Sequence, residues 1–287
     1  MKAIIAGGGI GGLTAALSLN QAGIDVRVFE SAPKMLPLGV GINLLPNASR
    51  ELCELGLQPE LDRLGIRTRA MQYFNRRGQL VISAPCGEYA GYRWPQYSVH
   101  RGEFQLLLAR VLRERAGPDC LVTGHRLADF EQQAEKVTAR FVDPVSGDTV
   151  GSEEGDILVG ADGLHSEIRA RLLPGEGRPI YTGMMTYRGA AAGPPYLDGD
   201  SMIIVGDKRQ RLVSYPISES MRQRGQSHIN WIAVFPRETN EVDEIWDNLT
   251  DPAELTSRYR AWHFDWLDVA ELIRSTELVW EWPLVDR

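Results

Sequence analysis

Cysteine is scarce: Cys53, Cys86 and Cys120 are the only three in the 287-residue chain, far apart and without a Cys-x-x-Cys spacing. An odd, scattered set excludes a disulfide framework and a zinc site, so no metal is expected and a reducing cytoplasm fits best. A basic excess is also lacking. Lys+Arg 31 against Asp+Glu 38 gives a formal charge of -7, which argues against a nucleic-acid-binding surface. No long hydrophobic run escapes interruption. The uncharged stretch from Ala3 to Ile24 is broken by Gly7, Gly8, Gly9, Gly11, Gly12 and Gly23 and carries Asn20 and Gln21, so it is a poor membrane span. No small-residue cleavage site follows it, which removes a signal peptide. Internal repeats and low-complexity segments are absent too. What remains is ordinary: 43% hydrophobic and 24% charged residues, in a chain long enough for two domains or one large α/β domain.

The opening residues carry the first chemistry. Lys2-Ala-Ile-Ile-Ala6 reads as a short buried strand, Leu13 to Ala22 as a helix stopped by Gly23, and Ile24 to Glu30 as a second strand. Between the first strand and the helix stands Gly7-x-Gly9-x-x-Gly12, inside a strand–helix–strand unit of roughly thirty residues. Gly7 permits the tight turn, Gly9 lets backbone approach a pyrophosphate, and Gly12 lets helix and strand pack closely. The helix N-terminus offers unpaired N–H groups and a positive dipole end to phosphates. Glu30 can accept ribose hydroxyls, and its carboxylate would repel a 2′-phosphate. The adenosine half is therefore FAD-like or NAD-like, and the motif alone does not choose between them.

Further along, Asn47 is expected to cap a short helix through Leu55, and residues 70 to 83 form a hairpin. Phe104, Leu107, Leu108, Val111 and Leu112 repeat at helical spacing over Arg101 to Ala116. Val137 to Val142 is a strand with its turn at Asp143 to Asp148, and Asp156 to Ala161 is another buried strand, followed by a helix over His165 to Leu173. Proline and glycine cluster at Leu173 to Pro179, the best crossing point between domains. Beyond it lie strand-like segments at 201–206, 211–217 and 228–235, and six of the seven tryptophans follow residue 230. A long helix is expected from Asp251-Pro252 to about Ile273 with Trp262 and Trp266 on one face, then a last strand over 277–285.

Two more positions invite a ligand. Arg101 puts a cation at a helix N-terminus, where the dipole opposes it and a diphosphate would offset it; a surface pair with Glu103 is the plain alternative. Asp162-Gly163 places a carboxylate at the end of a strand that reads as parallel, the usual ligand crevice of such sheets, although Asp-Gly is also simply a turn.

Taken together, Gly7-Gly-Gly-Ile-Gly-Gly12, Leu38-Gly-Val-Gly-Ile-Asn43, His100-Arg-Gly-Glu-Phe-Gln105 and Gly160-Ala-Asp-Gly-Leu-His-Ser-Glu-Ile-Arg169 resemble the FAD-dependent aromatic monooxygenases of the para-hydroxybenzoate hydroxylase type. Within that family Tyr97-Ser-Val-His-Arg-Gly-Glu103 and Pro283-Leu-Val-Asp-Arg287 bring the chain nearest to phenazine hydroxylases. The resemblance implies a doubly wound, Rossmann-like α/β FAD-binding domain (1–70 and 98–175) interleaved with a mostly antiparallel substrate domain (71–97 and 176–287). It implies hydroxylation of an aromatic substrate by NADH or NADPH and O2 through a C4a-hydroperoxyflavin, with NAD(P)H binding only transiently. Gly7, Gly9, Ile10, Gly11 and Gly12 would hold the FAD diphosphate and Glu30 the ribose. Val40 would lie on the flavin side, Arg101 and Gln105 at the ribityl–diphosphate region, Leu127 along the adenine, and Asp162 and Gly163 at FAD and the nicotinamide.

No catalytic acid or base is assigned, because the flavin carries the chemistry. Tyr187, Tyr215 and Trp231 are substrate-pocket candidates by position on the middle strands, with plain sheet packing as the alternative. The family continues past this point with a Gly-Asp motif, so the C-terminal part of the FAD domain is expected to be missing and the chain to be a poor monooxygenase. A non-enzymatic FAD-binding fragment and an NAD-dependent dehydrogenase are the rival readings. A flavin halogenase is set aside because Trp280-Glu-Trp-Pro283 has a different spacing from that family's motif.

Overall fold

The computed structural model describes residues 1–237 and 248–287; Trp246 lies outside them. The chain divides into two compact units, one of residues 1–38 and 102–177, the other of residues 39–101 and 178–287. The sequence-based division put residues 39–70 with the glycine motif. The structure groups them with the second unit, because Gly41–Leu44 and Ile66–Arg67 both pair with the strand Tyr97–His100.

In the first unit four parallel strands stand in the order Ile157–Gly160, Lys2–Ala6, Asp25–Phe29, Leu121–Val122. The central strand is apolar on both sides, with Ala3, Ile4 and Ile5 at 0% exposure, as a parallel strand covered on two faces requires. A separate antiparallel sheet of Arg126–Gln133, Lys136–Val142 and Thr149–Gly155 packs Leu127, Ala139 and Phe141 against Ile4 and Phe29. Phe29 and Phe141 stack with ring centroids 4.0 Å apart. The strand expected to be buried at 156–161 is instead an edge: it pairs on one side only, and Ile157 is exposed.

The second unit is built on an eight-stranded, mostly antiparallel sheet. Its centre is Ile180–Gly193, Ser227–Pro236 and Arg211–Pro216, and Met202–Gly206 joins the hairpin Ala70–Phe74/Leu80–Pro85 through one parallel pairing. One face carries Tyr187, Trp231, Ala233 and Phe235, packed with Tyr259, Leu272 and Ile273 into a buried core.

Several local expectations are corrected. Asn47 does not cap its helix: Pro46 occupies the first turn, the cap is Leu45 in extended conformation, and no side chain bonds the free amides. The helix expected over 165–173 runs from Glu167 to Leu172, capped by Ser166. The long helix expected from residue 251 to 273 is two short ones, Pro252–Tyr259 and Val269–Arg274. Between them His263–Phe264 and Leu267–Asp268 pair as a small hairpin, and the Asp268 carboxylate caps the second helix by accepting the Glu271 N–H at 2.9 Å. Trp266 leaves the helical pattern to stack on Phe264 at 5.0 Å.

Candidate active site

The glycine turn lies wholly in the first unit. Gly7 has φ +107°, a backbone region that strains any side chain, and a Cβ there would overlap the Ala161 carbonyl. A Cβ on Gly12 would overlap the carbonyl oxygen of Gly7, so this glycine is required by close packing. Gly9 and Gly11 differ: a Cβ on either meets nothing within 4 Å. The helix begins at Ile10 and runs to Gln21, its N-cap Gly9 brings no capping side chain, and the first bond into the turn is Leu13 N–H to Gly9 O at 3.0 Å. The amides of Ile10, Gly11 and Gly12 therefore have no partner within the helix, and they stand at its positive end. Open space above unpaired donors is what a diphosphate requires, and FAD fits these residues.

Two residues read as cofactor contacts also hold this loop. One Glu30 carboxylate oxygen accepts the Gly8 N–H at 2.6 Å. From the other direction, Gln105 Nε2 donates to the Gly8 carbonyl at 2.8 Å. The second Glu30 oxygen accepts from Ala32 N–H at 2.8 Å and Ser31 Oγ at 3.1 Å. Gly8 is thus clamped on both its donor and its acceptor, a role that sequence reading missed. Nothing in the local pattern signals it, since Glu30 and Gln105 reach Gly8 only through the tertiary fold.

Asp162 is engaged in the same way. Its carboxylate accepts from Ser166 Oγ at 2.5 Å and from Glu167 N–H at 2.8 Å, so it supports the start of the helix Glu167–Leu172, while Gly163 turns at φ +82°. Leu127 is a core residue at 4% exposure.

In the second unit, Val40 is buried and its carbonyl accepts the Arg101 N–H at 2.9 Å. The Arg101 guanidinium lies against Gly39, where a Cβ would stand 3.0 Å from Nε. Arg101 starts the helix Arg101–Ala116, one turn before Gln105 and on the same helix face.

The three substrate-pocket candidates are not brought together. Tyr187 and Trp231 point into the helix-covered core: Tyr187 stacks on Phe235 at 4.9 Å, and Trp231 Nε1 donates to Thr276 Oγ1 at 2.8 Å. Tyr215 is in register with Asn230 and points to the opposite face. Burial pushes the hydroxyls of Tyr187 and Tyr215 up to about 12, so both stay neutral near pH 7 and neither is a phenolate base.

A family model for the FAD binding domain matches residues 1–269. The chain belongs to that family. Within it, the chain is 40% identical over 99% of its length to a phenazine 1,6-dicarboxylic acid hydroxylase of Lysobacter antibioticus, of which it spans 71%. It is 33% identical over 99% of its length to a 3-amino-4-hydroxybenzoate 2-monooxygenase of Streptomyces platensis, of which it spans 67%. Among solved structures, Klebsiella pneumoniae HpxO complexed with FAD and uric acid superposes with a TM-score of 0.75 at 26% identity, covering 100% of this chain and 68% of that one. The protein is a flavin-dependent monooxygenase of this FAD-binding family, with FAD as cofactor and NAD(P)H as reductant. The rival readings, a non-enzymatic fragment and an NAD-dependent dehydrogenase, are not favoured by a match that extends over nearly the whole chain. No helix among the described residues is long and apolar enough to cross a membrane.

Proposed function

We propose that this protein hydroxylates a planar, phenazine-like aromatic substrate with NAD(P)H and O2. The observation that carries the reading is the 40% identity to a phenazine 1,6-dicarboxylic acid hydroxylase, sustained over 99% of the chain. FAD, when bound, supplies the activation of O2 and the transfer of one oxygen atom to the ring. The amides of Gly9, Ile10, Gly11 and Gly12 hold its diphosphate, and Gly7 sets the turn that presents them. Glu30 accepts the ribose hydroxyls while it holds Gly8, and Gln105 fixes the same loop. Arg101 offsets the diphosphate charge, Val40 and Leu127 provide apolar walls, and Asp162-Gly163 serves cofactor and nicotinamide by backbone as well as side chain.

The glycine turn of the unit of residues 1–38 and 102–177 takes the FAD diphosphate, and the sheet of the unit of residues 39–101 and 178–287 takes the substrate. Three free thiols at Cys53, Cys86 and Cys120 accord with a reducing, cytoplasmic location.

Titration calorimetry with FAD and with NAD+ tests the cofactor half. FAD should bind and NAD+ alone should not bind comparably. For the substrate half, phenazine-1-carboxylate should stimulate NAD(P)H oxidation and yield a hydroxylated phenazine. Tight NAD+ binding without FAD binding, or turnover of monocyclic benzoates alone, would overturn the respective half.

A further inference from the structure

One edge of the large sheet is uncharged and exposed. The strand Leu80–Pro85 ends the eight-stranded order and pairs on one side only, with Ala70–Phe74. Its first residues Leu80, Val81 and Ile82 are 55%, 68% and 55% exposed. Sheet edges are ordinarily blunted by charge or by cover, and three consecutive exposed aliphatic side chains supply neither. Past the strand, Tyr89 and Tyr92 are exposed as well. Glu88, the one acid of residues 76–93, is held by Arg67 at 2.8 Å.

The tip of the same hairpin is basic and firmly held. Asn75 N–H donates to the Gln79 carbonyl at 3.0 Å and Asn75 Nδ2 to Gln79 Oε1 at 2.8 Å. Gly78 turns at φ +74° against Phe264, whose ring a Cβ would overlap. Ala70–Phe74 and Met202–Gly206 run parallel with Phe74 beside Val205, so the turns that follow them lie at the same end of the sheet. Arg76 crosses between these turns to Asp207 at 2.9 Å, and Asp207 also accepts the Arg209 N–H at 2.8 Å. That engages the one acid of the two turns. Arg77, Lys208 and Arg209 are exposed, and no ion pair reaches their side chains among the described residues. On a chain of formal charge -7, this end therefore collects cations beside an apolar edge.

We propose that this edge docks the protein on an anionic lipid surface. Leu80, Val81 and Ile82 enter the boundary between headgroups and acyl chains, and Arg77, Lys208 and Arg209 meet lipid phosphates. Apolar burial and charge attraction add in such contacts, and tyrosine suits the same boundary, its ring toward the apolar side and its hydroxyl toward water. The contact is peripheral, with no segment crossing the bilayer. A second copy of the chain fits this edge less well. The ladder shifts register between Tyr73 and Phe74, leaving Val81 without a residue opposite, and Pro85 has no N–H to give. The cations would also find no free acid along the edge of a copy, where Glu88 is already paired.

Vesicle flotation at low salt tests the docking, with phosphatidylcholine alone and with phosphatidylglycerol added. The protein should float with the anionic vesicles and not with the neutral ones, and added salt should release it. Arg77→Gln combined with Arg209→Gln should weaken binding about twentyfold, at roughly fivefold for each cation lost near the surface. Val81→Ser should weaken it about fivefold by removing apolar area, with the salt dependence left in place. Both variants alter exposed side chains, and urea midpoints equal to the parent's show that the fold is intact. No flotation, equal flotation with both lipids, or flotation that neither variant weakens would overturn the proposal. So would a dimer in sedimentation, in place of vesicle binding, that Val81→Ser dissolves, since a second copy would then cover the edge.

Discussion

A methyl group added at Gly9 meets open space, while one added at Gly12 overlaps the Gly7 carbonyl. The two positions therefore separate binding from folding. Gly9→Ala should leave stability within about 0.5 kcal/mol, since it disturbs no packing. It should nonetheless weaken FAD by about tenfold or more, because on the proposed reading the added carbon would stand where the diphosphate has to approach the amides. Gly12→Ala should cost about 1–3 kcal/mol of stability as an overpacked position. Urea unfolding and FAD titration on the two variants distinguish them; equal loss of stability would remove the basis for treating Gly9 as a ligand-facing glycine. Arg101→Ala should weaken FAD by about 1.5–3 kcal/mol, the value of a charge-assisted hydrogen bond, or roughly ten- to a hundredfold. Unchanged FAD affinity would make Arg101 an ordinary surface residue.

Elements were legible in sequence where local pattern sets them. The strand–glycine turn–helix and the helix Arg101–Ala116 follow directly from spacing, and the hairpin read over 70 to 83 from two strand-like runs across Arg76-Arg-Gly78; in the structure it closes between Asn75 and Gln79 and extends to Pro85. Failures came where a distant partner decides. Helical spacing over 251–273 gave no sign that Trp266 would leave it to stack on Phe264, nor that Asp268 would start a new helix. The edge position of Ile157–Gly160 depends on what stands beside it in the sheet, which periodicity does not encode.

Caps carry a testable share of this scale. Ser166 accepts the Arg169 N–H at 2.9 Å and donates to Asp162, so Ser166→Ala should cost about 1 kcal/mol in chemical unfolding. Thr276→Val would leave the fully buried Trp231 N–H without its acceptor and should cost about 1–3 kcal/mol, largely restored by Thr276→Ser. A Thr276→Val variant as stable as the parent would mean that the indole finds another acceptor.

For the whole molecule, the fold and the cofactor class were readable from four motifs in order, while the side of the large sheet that each aromatic takes was not. Tyr187, Tyr215 and Trp231 were singled out as aromatics on middle strands, but strand parity sends Tyr187 and Trp231 to one side and Tyr215 to the other.

A pH effect belongs at this scale too. Burial, reinforced by Arg101, holds His100 below its ordinary value of 6.5, and His228 stacks on it at 5.9 Å. The unfolded chain then takes up a proton before the folded one does. Its contribution is complete above pH 6.5 and is lost as pH falls through the depressed folded value. His100→Gln should flatten the stability profile just below pH 6.5 relative to the parent, measured as urea midpoint against pH. Parallel profiles would place the acid-side loss elsewhere.

The most direct test of the central claim is to follow oxygen. Purified protein saturated with FAD is supplied with NAD(P)H, phenazine-1-carboxylate and isotopically labelled O2, and the product is examined by mass spectrometry. The expected result is a hydroxylated phenazine carrying one labelled oxygen atom and formed only when FAD is present. Hydroxylated product whose oxygen comes from water, or whose formation does not depend on FAD, would contradict it.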